Sequence, residues 1–475
     1  MTTIDEALSD RLLLGAALDR DLSSWATWRV VLRAAFGLPL HTDEEFDTLE
    51  ALAGPRRSPP TARVSELWAI AGRRSGKSRV AALIASYIAA FEDHSGKLAP
   101  GEVGYVLILS PTRDQSKVIA SYVQAFFASS PVLRQLVMEA NSEEIRLQGN
   151  IVIAIHPNSF RTVRGRTLIA CIFDESAFWR DESSALPDLE TYRAVTPALA
   201  TTGGLLVGIS SPYRKVGLLH ARHRDFYNTD APDVLVIQGA TATLNPLIDR
   251  RIIDRAKKDD AEAASAEWDG NFRTDISALL DDYMIDDAID LVRPVDLPRS
   301  RHHRYFAFTD ASAGKHDSFT LAIGHLENEY EENEHFVLDV LRATRPPFDP
   351  AIVAGEYAAL ARFYGVSHLT GDAYAGNWVS EAFNKAGVRY HTSRLNKSQL
   401  YLEAVQHFAR RAITIPNYAP LIRELRLLER RVSRSGRDSV DHPQNGSDDM
   451  ANALVGCLYQ STLNRPVPAR MLYGR

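Results

Sequence analysis

Through the first half of the chain, short runs of mostly apolar residues alternate with segments whose apolar residues recur at helical spacing. Five such runs predict buried strands, at residues 67–70, 104–110, 151–155, 168–173 and 205–209. The intervening segments, among them 80–91 and 113–127, predict helices. Strands that are buried on both faces and alternate with helices are typical of a mostly parallel sheet covered on each side. The pattern therefore predicts an α/β fold.

The second half shows a different order of elements. Three strands with short connections predict a β-meander, at residues 305–310, 318–326 and 335–341. A helix at 351–364, a short strand at 368–372 and a last amphipathic helix that ends near residue 463 follow. This half is therefore predicted as a second domain with a sheet of its own.

A glycine-bearing turn joins the first predicted strand to the helix that follows it. Its sequence is Ala71-Gly72-Arg73-Arg74-Ser75-Gly76-Lys77-Ser78. In such a turn the glycines let backbone N–H groups face phosphate oxygens, the lysine reaches the β- and γ-phosphates, and the serine hydroxyl binds Mg²⁺. A surface turn rich in Ser, Gly and Arg is the alternative, but the flanking strand and helix favour a phosphate loop. We therefore predict a nucleoside triphosphate site.

Polar residues end two of the buried strands. Asp174 and Glu175 lie at the strand end where open α/β sheets bind ligands. Asp174 is predicted to hold Mg²⁺, and Glu175 is predicted to polarise the water that attacks the γ-phosphate. Ser210 and Ser211 end the next strand and are candidates to sense a γ-phosphate. The alternatives are a helix cap for the acidic pair and an ordinary strand-to-loop cap for the serines.

Aspartates recur at three points of the second domain. Asp310 and Asp372 end strands, and Asp448 and Asp449 open the last helix, with Asp317 as an accessory candidate. Each alone is typical of a turn or a cap, but together they can converge carboxylates that bind two Mg²⁺ or Mn²⁺ ions. Two such ions stabilise the attacking and leaving oxygens when a phosphodiester is cleaved. The series therefore predicts a two-metal nuclease site.

Composition narrows the class of protein. The chain has 475 residues, a formal net charge of −6 and two cysteines, Cys171 and Cys457, in separate apolar runs. This length predicts two or three domains, and the cysteines favour reduced core residues over a disulfide or zinc framework. No apolar run is long enough to span a bilayer and the N-terminus is unlike a targeting peptide, so we expect a cytoplasmic protein. The negative charge excludes a basic wrapper of nucleic acid.

Taken in order, these motifs resemble those of the large terminase subunit of tailed bacteriophages. The resemblance includes the phosphate loop, Asp174-Glu175, Ser210-Ser211-Pro212 and the aspartate series. It implies a RecA-like P-loop ATPase domain of the additional-strand type, followed by an RNase H-like nuclease domain with a mixed sheet. The implied boundaries are a helical segment at 1–60, the ATPase domain at 61–270, a linker at 271–302, the nuclease domain at 303–463 and a tail at 464–475.

The resemblance implies a DNA-packaging motor that hydrolyses ATP to translocate double-stranded DNA into a prohead, and a two-metal endonuclease that cuts concatemeric DNA. The implied cofactors are ATP as substrate, Mg²⁺ for the ATPase and two Mg²⁺ or Mn²⁺ for the nuclease. The implied partners are double-stranded DNA, the portal protein, the small terminase subunit and further copies of the chain in a ring on the prohead, with a pentamer as one candidate and a monomer in solution. The setting would be the host cytoplasm, with no membrane involved.

Three arginines compete for the role of arginine finger, the residue that stabilises charge on the γ-phosphate. Arg73 matches a position in the phosphate loop where many family members carry an arginine. Arg164 and Arg166 precede the strand that ends in Asp174, and they are candidates to reach a neighbouring subunit's nucleotide.

Three positions depart from the family pattern. Ala71 replaces the opening glycine of the loop, Trp28-Arg29 stands near where family members place an adenine-reading glutamine, and Ser447 rather than histidine precedes the last acidic pair. Asp449 is favoured over Asp448 as a metal ligand, because it stands three residues before Asn452, where related nucleases often have a further aspartate.

Residues 421–437 are the candidate contact with DNA. They carry six arginines against two glutamates, and Leu421, Leu425 and Leu428 supply an opposing apolar face. The stretch is predicted either to track DNA phosphates or to form a solvated helix with local ion pairs. Two other functions stay open, a helicase-nuclease of DNA repair and a portal-docking component with an inactive nuclease domain.

Overall fold

The computed structural model describes residues 2–18, 21–56, 58–159, 163, 165–179, 187–315, 317–328, 334–372, 376–432, 438–443 and 446–463. The chain forms two compact units, Met1–Thr274 and Asp275–Arg475. Arg164, Arg434, Arg437 and the predicted tail at 464–475 lie outside the described residues. Within the described ranges, no helix combines the length and the apolar composition that a membrane crossing needs.

An eight-stranded sheet forms the centre of the first unit. Its strands are β1 (Glu66–Ala71), β2 (Gly104–Ser110), β3 (Val137–Ala140), β4 (Glu144–Leu147), β5 (Ile151–Pro157), β6 (Thr167–Asp174), β7 (Leu205–Ser210) and β8 (Val234–Gly239). They lie in the order β3-β4-β5-β2-β6-β7-β1-β8, and all strands from β5 onward in that order are parallel. The antiparallel strands β3 and β4 extend one edge and were not predicted, because β3 is short and mostly exposed. The predicted α/β fold is confirmed.

Helices cover both faces of this sheet. Alternate residues of β2 belong to different apolar clusters, Val106 and Ile108 to one and Leu107 and Leu109 to the other. The first cluster includes helices Lys77–Phe91 and Arg113–Ser129, and the second includes helices Pro187–Ala200 and Gly217–Phe226. The other helical segments are Ile4–Ser9, Leu14–Ala17, Ser23–Trp25, Ala26–Ala35, Asp43–Ala53, Pro131–Arg134, Ser176–Phe178, Thr241–Leu244, Arg250–Asp259, Ala261–Ala264 and Ser265–Asp269.

The predicted helical segment at 1–60 shares its core with the phosphate-loop helix. Ile4, Trp28 and Leu49 belong to the same apolar cluster as Val80 and Leu83. The N-terminal helices therefore pack directly against the helix that follows the predicted phosphate loop.

A seven-stranded mixed sheet forms the centre of the second unit. The strands of this unit are β9 (Ile276–Ala278), β10 (Ile289–Asp290), β11 (Tyr305–Asp310), β12 (Phe319–Glu327), β13 (His335–Thr344), β14 (His368–Gly371), β15 (Arg389–Thr392), β16 (Ile413–Pro416), β17 (Glu429–Val432) and β18 (Asp438–Asp441). The large sheet has the order β10-β16-β13-β12-β11-β14-β15, and β18-β17-β9 form a small second sheet. β11, β12 and β13 are the predicted antiparallel meander, and β14 pairs with β11 in parallel.

Helices also cover both faces of the seven-stranded sheet. They are Asp282–Ala288, Pro350–Phe363, Gly376–Lys385, Lys397–Ala409, Ala419–Leu427 and Asp449–Leu463. The last helix packs on one face, in a cluster that contains Phe308 and Leu454. Tyr357 and Phe383, from two other helices, pack on the opposite face.

The stretch predicted as a linker, 271–302, is largely part of the second unit. Ile276–Ala278 forms a strand beside β17, and Ile289–Asp290 forms a strand beside β16. Between them lies a helix whose Ile285 is fully buried. The prolines of this stretch led to the prediction of a linker. Several of its apolar residues, however, are buried in the second unit, and its two short strands pair with the sheets of that unit.

Candidate active sites

The phosphate loop connects β1 to helix Lys77–Phe91, as the sequence predicted. Gly76 has φ 90°, a left-handed conformation that favours glycine. A Cβ on Gly72 would collide with the Thr241 hydroxyl, so glycine is needed there as well. Ala71 replaces the usual opening glycine without strain, because it is the buried last residue of an extended strand.

Side chains from outside the loop hold its main chain in place. Three of them each donate a hydrogen bond to a loop carbonyl oxygen, Trp28 Nε1 to Ser75 at 2.8 Å, Thr241 Oγ1 to Arg73 at 2.7 Å and Asn245 Nδ2 to Arg74 at 2.8 Å. The loop therefore keeps its shape through contacts that need no ligand. The departure from the family pattern at Trp28-Arg29 thus has a structural role, which the sequence alone did not reveal.

The loop lysine meets the ends of β6 and β7. Lys77 Nζ lies 3.0 Å from Glu175 Oε1, and it donates a hydrogen bond to Ser211 Oγ at 2.7 Å. The other oxygen of Glu175 accepts hydrogen bonds from the Ser211 N–H at 2.9 Å and the Ser210 hydroxyl at 3.2 Å. Four residues that the sequence singled out are therefore in one hydrogen-bonded group, and both carboxylate oxygens of Glu175 have partners.

Asp174 is buried directly beside this group. Burial, and then the neighbouring Glu175 carboxylate, raise the pKa of Asp174 to about 7. Its Oδ1 atom has no hydrogen-bond partner among the described residues. A buried acceptor oxygen without a donor is costly, and a hard cation would satisfy it. Ser78, the second residue of the phosphate-loop helix, is half-buried. Asp174 and Ser78 therefore fit the binding of Mg²⁺.

The arginine candidates lie in different places. The Arg73 side chain is 58% exposed and forms an ion pair with Glu267 at 3.3 Å. Arg166 directly precedes Thr167, the first residue of β6, and Asp174 is the last residue of that strand. The main chain of Arg166 therefore lies at the opposite end of β6 from Asp174. Its guanidinium packs over the ring of Tyr105. Which arginine acts as a finger stays a prediction.

Asp310, Asp372 and Asp449 meet at the end of β11. Asp310 ends that strand, and Asp372 follows the adjacent parallel strand β14. Thr320, which is opposite Asp310 on β12, donates its hydroxyl to the main-chain oxygen of Asp449 at 2.8 Å. The fold therefore brings together the three carboxylates that the sequence predicted would converge.

These carboxylates are electrostatically coupled. Burial is the main cause that raises the pKa of Asp310 to about 7, and the Asp449 and Asp372 carboxylates add to it. Asn452 Nδ2 donates a hydrogen bond to Asp310 Oδ2 at 2.8 Å, which opposes the shift. Burial also raises the pKa of Asp449, whose Oδ2 accepts from the Ser318 N–H at 2.9 Å. Buried carboxylates that repel one another are stabilised by a divalent cation, so this set fits metal binding.

Glu424 supports this site and was missed in the sequence. Its Oε2 accepts hydrogen bonds from the N–H groups of Met450 and Ala451, at 2.8 and 2.9 Å, and so caps the helix that begins at Asp449. Burial raises the pKa of Glu424 to about 8. The contact joins residues that are far apart in sequence, and no local pattern signals it.

Asp448 has different partners from Asp449. It is 1% exposed, and its Oδ1 lies 2.6 Å from Lys397 Nζ while its Oδ2 accepts from the Tyr401 hydroxyl at 2.9 Å. Burial opposes the charge on Lys397, but the Asp448 and Asp441 carboxylates outweigh it and raise the pKa of Lys397. The preference for Asp449 over Asp448 as a metal ligand is consistent with this geometry. Lys397 was not singled out in the sequence.

The basic stretch at 421–437 is not one helix. The helix ends at Leu427, and β17 then pairs with β18 and β9. Arg426 forms ion pairs with Asp282 and Asp286, and Arg430 forms one with Asp438. The single solvated helix of the alternative interpretation is therefore wrong, although ion pairs are present among the described residues. Contact of this stretch with DNA phosphates stays a prediction.

Comparison with known proteins gives solved structures alone. No protein-family model matches the chain, and no curated protein does. The crystal structure of the HK97 bacteriophage large terminase aligns with 91% of this chain and 99% of its own, at 14% identity and a TM-score of 0.38. The large terminase nuclease from thermophilic phage G20c aligns with 38% of this chain and 98% of its own, at 18% identity and a TM-score of 0.33. The large terminase ATPase domain of Thermus phage P74-26 aligns with 51% of this chain and 98% of its own, at 17% identity and a TM-score of 0.34. At TM-scores this low, function has to be inferred from the residues of the chain.

Proposed function

We propose that this chain is a phage DNA-packaging motor subunit of the large terminase type. It would hydrolyse ATP to translocate double-stranded DNA into a prohead, and it would cut concatemeric DNA with a metal-dependent endonuclease. One observation carries the proposal: a single chain combines a phosphate loop whose lysine contacts a strand-end glutamate with a separate cluster of three strand-end and helix-start aspartates. A phosphate-loop ATPase alone does not need the second cluster.

In the ATPase half, phosphate would take the place of Glu175 as the partner of Lys77. Mg²⁺, when bound to Ser78 and Asp174, supplies positive charge that stabilises the transferring phosphoryl group. Glu175 would then be free to orient the attacking water and accept its proton. Ser211 would lose its contact with Lys77 in the same exchange, so the end of β7 would respond to the presence of a γ-phosphate.

In the nuclease half, Asp310, Asp372 and Asp449 would hold two Mg²⁺ or Mn²⁺ ions. When bound, these ions supply charge at the attacking and leaving oxygens of the phosphodiester. Asn452 orients the Asp310 carboxylate, and the Ser318 N–H orients that of Asp449. These hydrogen bonds fix the carboxylates before a metal arrives, which lowers the cost of reorganising the site.

The partners and the setting follow from this function. Double-stranded DNA is the polymer moved and cut, and the portal protein, the small terminase subunit and further copies of the chain in a ring are the assembly partners. The host cytoplasm is the compartment. In such a ring Arg73 would act within its own subunit, or Arg166 would act on the nucleotide of a neighbour.

Cleavage of supercoiled plasmid tests the proposal. Purified full-length protein with Mg²⁺ or Mn²⁺ should convert the plasmid to nicked and linear forms, and Asp372→Ala should lose this activity while keeping ATP hydrolysis. Asp281→Ala is the matched control, because Asp281 is exposed in the same unit and makes no side-chain cap hydrogen bond. Wild-type protein that cuts with neither metal would overturn the nuclease half. An Asp372→Ala variant that cuts normally would overturn the assignment of the site.

A further inference from the structure

Lys397 is a partly buried cation at the edge of the aspartate cluster. It is the first residue of helix Lys397–Ala409, and 30% of its side chain is exposed. Its ammonium group is within electrostatic range of Asp310. Asp448, its closest partner, is followed directly by Asp449, which belongs to the cluster. The lysine is therefore beside the proposed cleavage site without being part of the carboxylate set.

Two residues of one helix hold Asp448. Lys397 binds one of its carboxylate oxygens and Tyr401, one helical turn later, binds the other. Tyr401 is fully buried and Asp448 is 1% exposed, so neither can move without disturbing the core. The carboxylate of Asp448 is thus an anchor that fixes the direction of the Lys397 side chain.

The neighbouring acidic residues do not alter this assignment. Asp441, His442 and Asp448 place oxygen and nitrogen atoms close enough together for a metal ion. However, Lys397 Nζ lies 2.6 Å from Asp448 Oδ1 and 3.7 Å from Asp441 Oδ1, so a positive group of the chain already neutralises these two oxygens. A divalent cation at the same oxygens would be repelled by the ammonium group.

The ammonium group has hydrogen-bonding capacity left. It carries three N–H donors, and the structure gives it one hydrogen bond among the described residues, to Asp448. A lysine ammonium is a compact charge that suits a phosphate oxygen. The nearby carboxylates repel a phosphodiester, so a fixed cation at their edge would favour its approach.

We propose that Lys397 is a phosphate-binding residue of the nuclease site, which contacts a DNA phosphate at or next to the cleaved bond while Asp448 and Tyr401 hold it in place. This inference rests on the proposed nuclease function, which it deepens. In this arrangement Asp448 holds Lys397 and does not bind a metal. Lys397 binds the DNA phosphate, and the cluster of Asp310, Asp372 and Asp449 binds the metal ions.

The test separates binding of metal from binding of DNA. Full-length Lys397→Ala should bind Mn²⁺ in calorimetry with wild-type stoichiometry, whereas Asp310→Ala should bind less. With Ca²⁺ in place of Mg²⁺, Lys397→Ala should bind a short duplex about fivefold more weakly, and the slope of log K against log salt should fall by about 1, as expected for one lost phosphate contact. Lys397→Arg should recover part of this binding. Lys385→Ala, at an exposed lysine of the same unit, is the matched control.

Asp448→Asn gives an independent readout with little change in shape. It should keep Mn²⁺ binding and weaken DNA binding as Lys397→Ala does, because the anchor charge is lost. Loss of a bound Mn²⁺ in Asp448→Asn would overturn the inference, and so would unchanged duplex affinity and salt slope in Lys397→Ala. Wild-type protein that fails to cut plasmid would overturn the proposed nuclease instead, since the duplex measurements with Ca²⁺ need no cleavage.

Discussion

Each unit contains two adjacent carboxylates next to a lysine, and the two pairs hold their lysines differently. In the first unit Lys77 contacts Glu175, which is 19% exposed, has a left-handed backbone and follows a strand. In the second unit Lys397 contacts Asp448, which is 1% exposed and directly precedes a helix. Asp448 also accepts a hydrogen bond from the buried Tyr401 hydroxyl. The first ion pair lies where phosphate would enter, whereas in the second the carboxylate is buried and the lysine is 30% exposed. A lysine–carboxylate ion pair is therefore expected to be an exchangeable contact in one site and a fixed one in the other.

The largest expected effect tests the exchangeable pair. Glu175→Gln should lower the rate of ATP hydrolysis by roughly 100- to 10,000-fold, because the amide cannot accept a proton from water. Lys77→Ala should abolish hydrolysis and weaken ATP binding as well. The measurement is phosphate release by full-length protein, with the exposed Glu50→Gln as the control. Substantial turnover by Glu175→Gln would remove this residue from its catalytic role.

The second effect concerns the aspartate cluster. Asp310→Asn should reduce plasmid cleavage by at least about 100-fold, since a neutral amide is a much weaker ligand for a divalent cation than a carboxylate, although its oxygen can still accept the hydrogen bond from Asn452. Phosphate release should stay at the wild-type rate. If ATP hydrolysis fell together with cleavage, the two sites would not be separate in function.

A third effect concerns the cap of the helix that begins at Asp449, directly after the carboxylate of the second ion pair. Glu424→Ala should lower the free energy of unfolding of the second unit by about 1–3 kcal/mol, because it leaves two buried N–H groups at the start of the last helix without an acceptor. Glu424→Gln should recover most of the loss, since its amide oxygen can accept both bonds. Urea unfolding measures the change, with the exposed Glu403→Ala as control. Equal midpoints for Glu424→Ala and wild type would contradict the capping role.

The smallest effect is a pH dependence of metal binding. The pKa of Asp310 is raised from 3.8 to about 7, so below pH 7 a proton competes with the cation. The affinity for Mn²⁺ should fall about tenfold for each pH unit below 7. For the same reason the metal-free second unit should lose stability as the pH rises from about 4 to 7, where the folded state keeps a proton that the unfolded state releases. Calorimetric titration at pH 6, 7 and 8 measures the first trend, and an affinity that is constant across this range would contradict it.

The parts of the molecule that follow from local pattern could be predicted from the sequence. The apolar runs before Asp174 and Asp310 predicted two strands, and in the structure each strand ends at its aspartate. The prediction worked because a strand that is buried on both faces needs continuous apolar side chains. The spacing of glycines and lysine located the phosphate loop in the same way. The fold class and the meeting of Asp310, Asp372 and Asp449 followed from these local signals.

The contacts that depend on distant residues could not be predicted. Lys397 meets Asp448 from another helix, Glu424 caps a helix that starts 25 residues later, and Trp28 reaches the phosphate loop from the N-terminal segment. Within residues 421–437, Arg426 is a related case, since its partners Asp282 and Asp286 lie more than a hundred residues away in sequence. Residue type and spacing carry no information about such partners until the chain is folded.

The contact between Trp28 and the phosphate loop has a practical consequence. The indole N–H donates to the Ser75 carbonyl oxygen, and a Cβ on Gly76 would lie 3.5 Å from the same nitrogen. Indole fluorescence responds to the polarity and hydrogen bonding of its surroundings, and this indole touches the segment that would close around phosphate. With the proposed function, the unlabelled protein would carry its own optical reporter of nucleotide binding, and a comparison with Trp28→Phe would separate its signal from the emission of the other tryptophans.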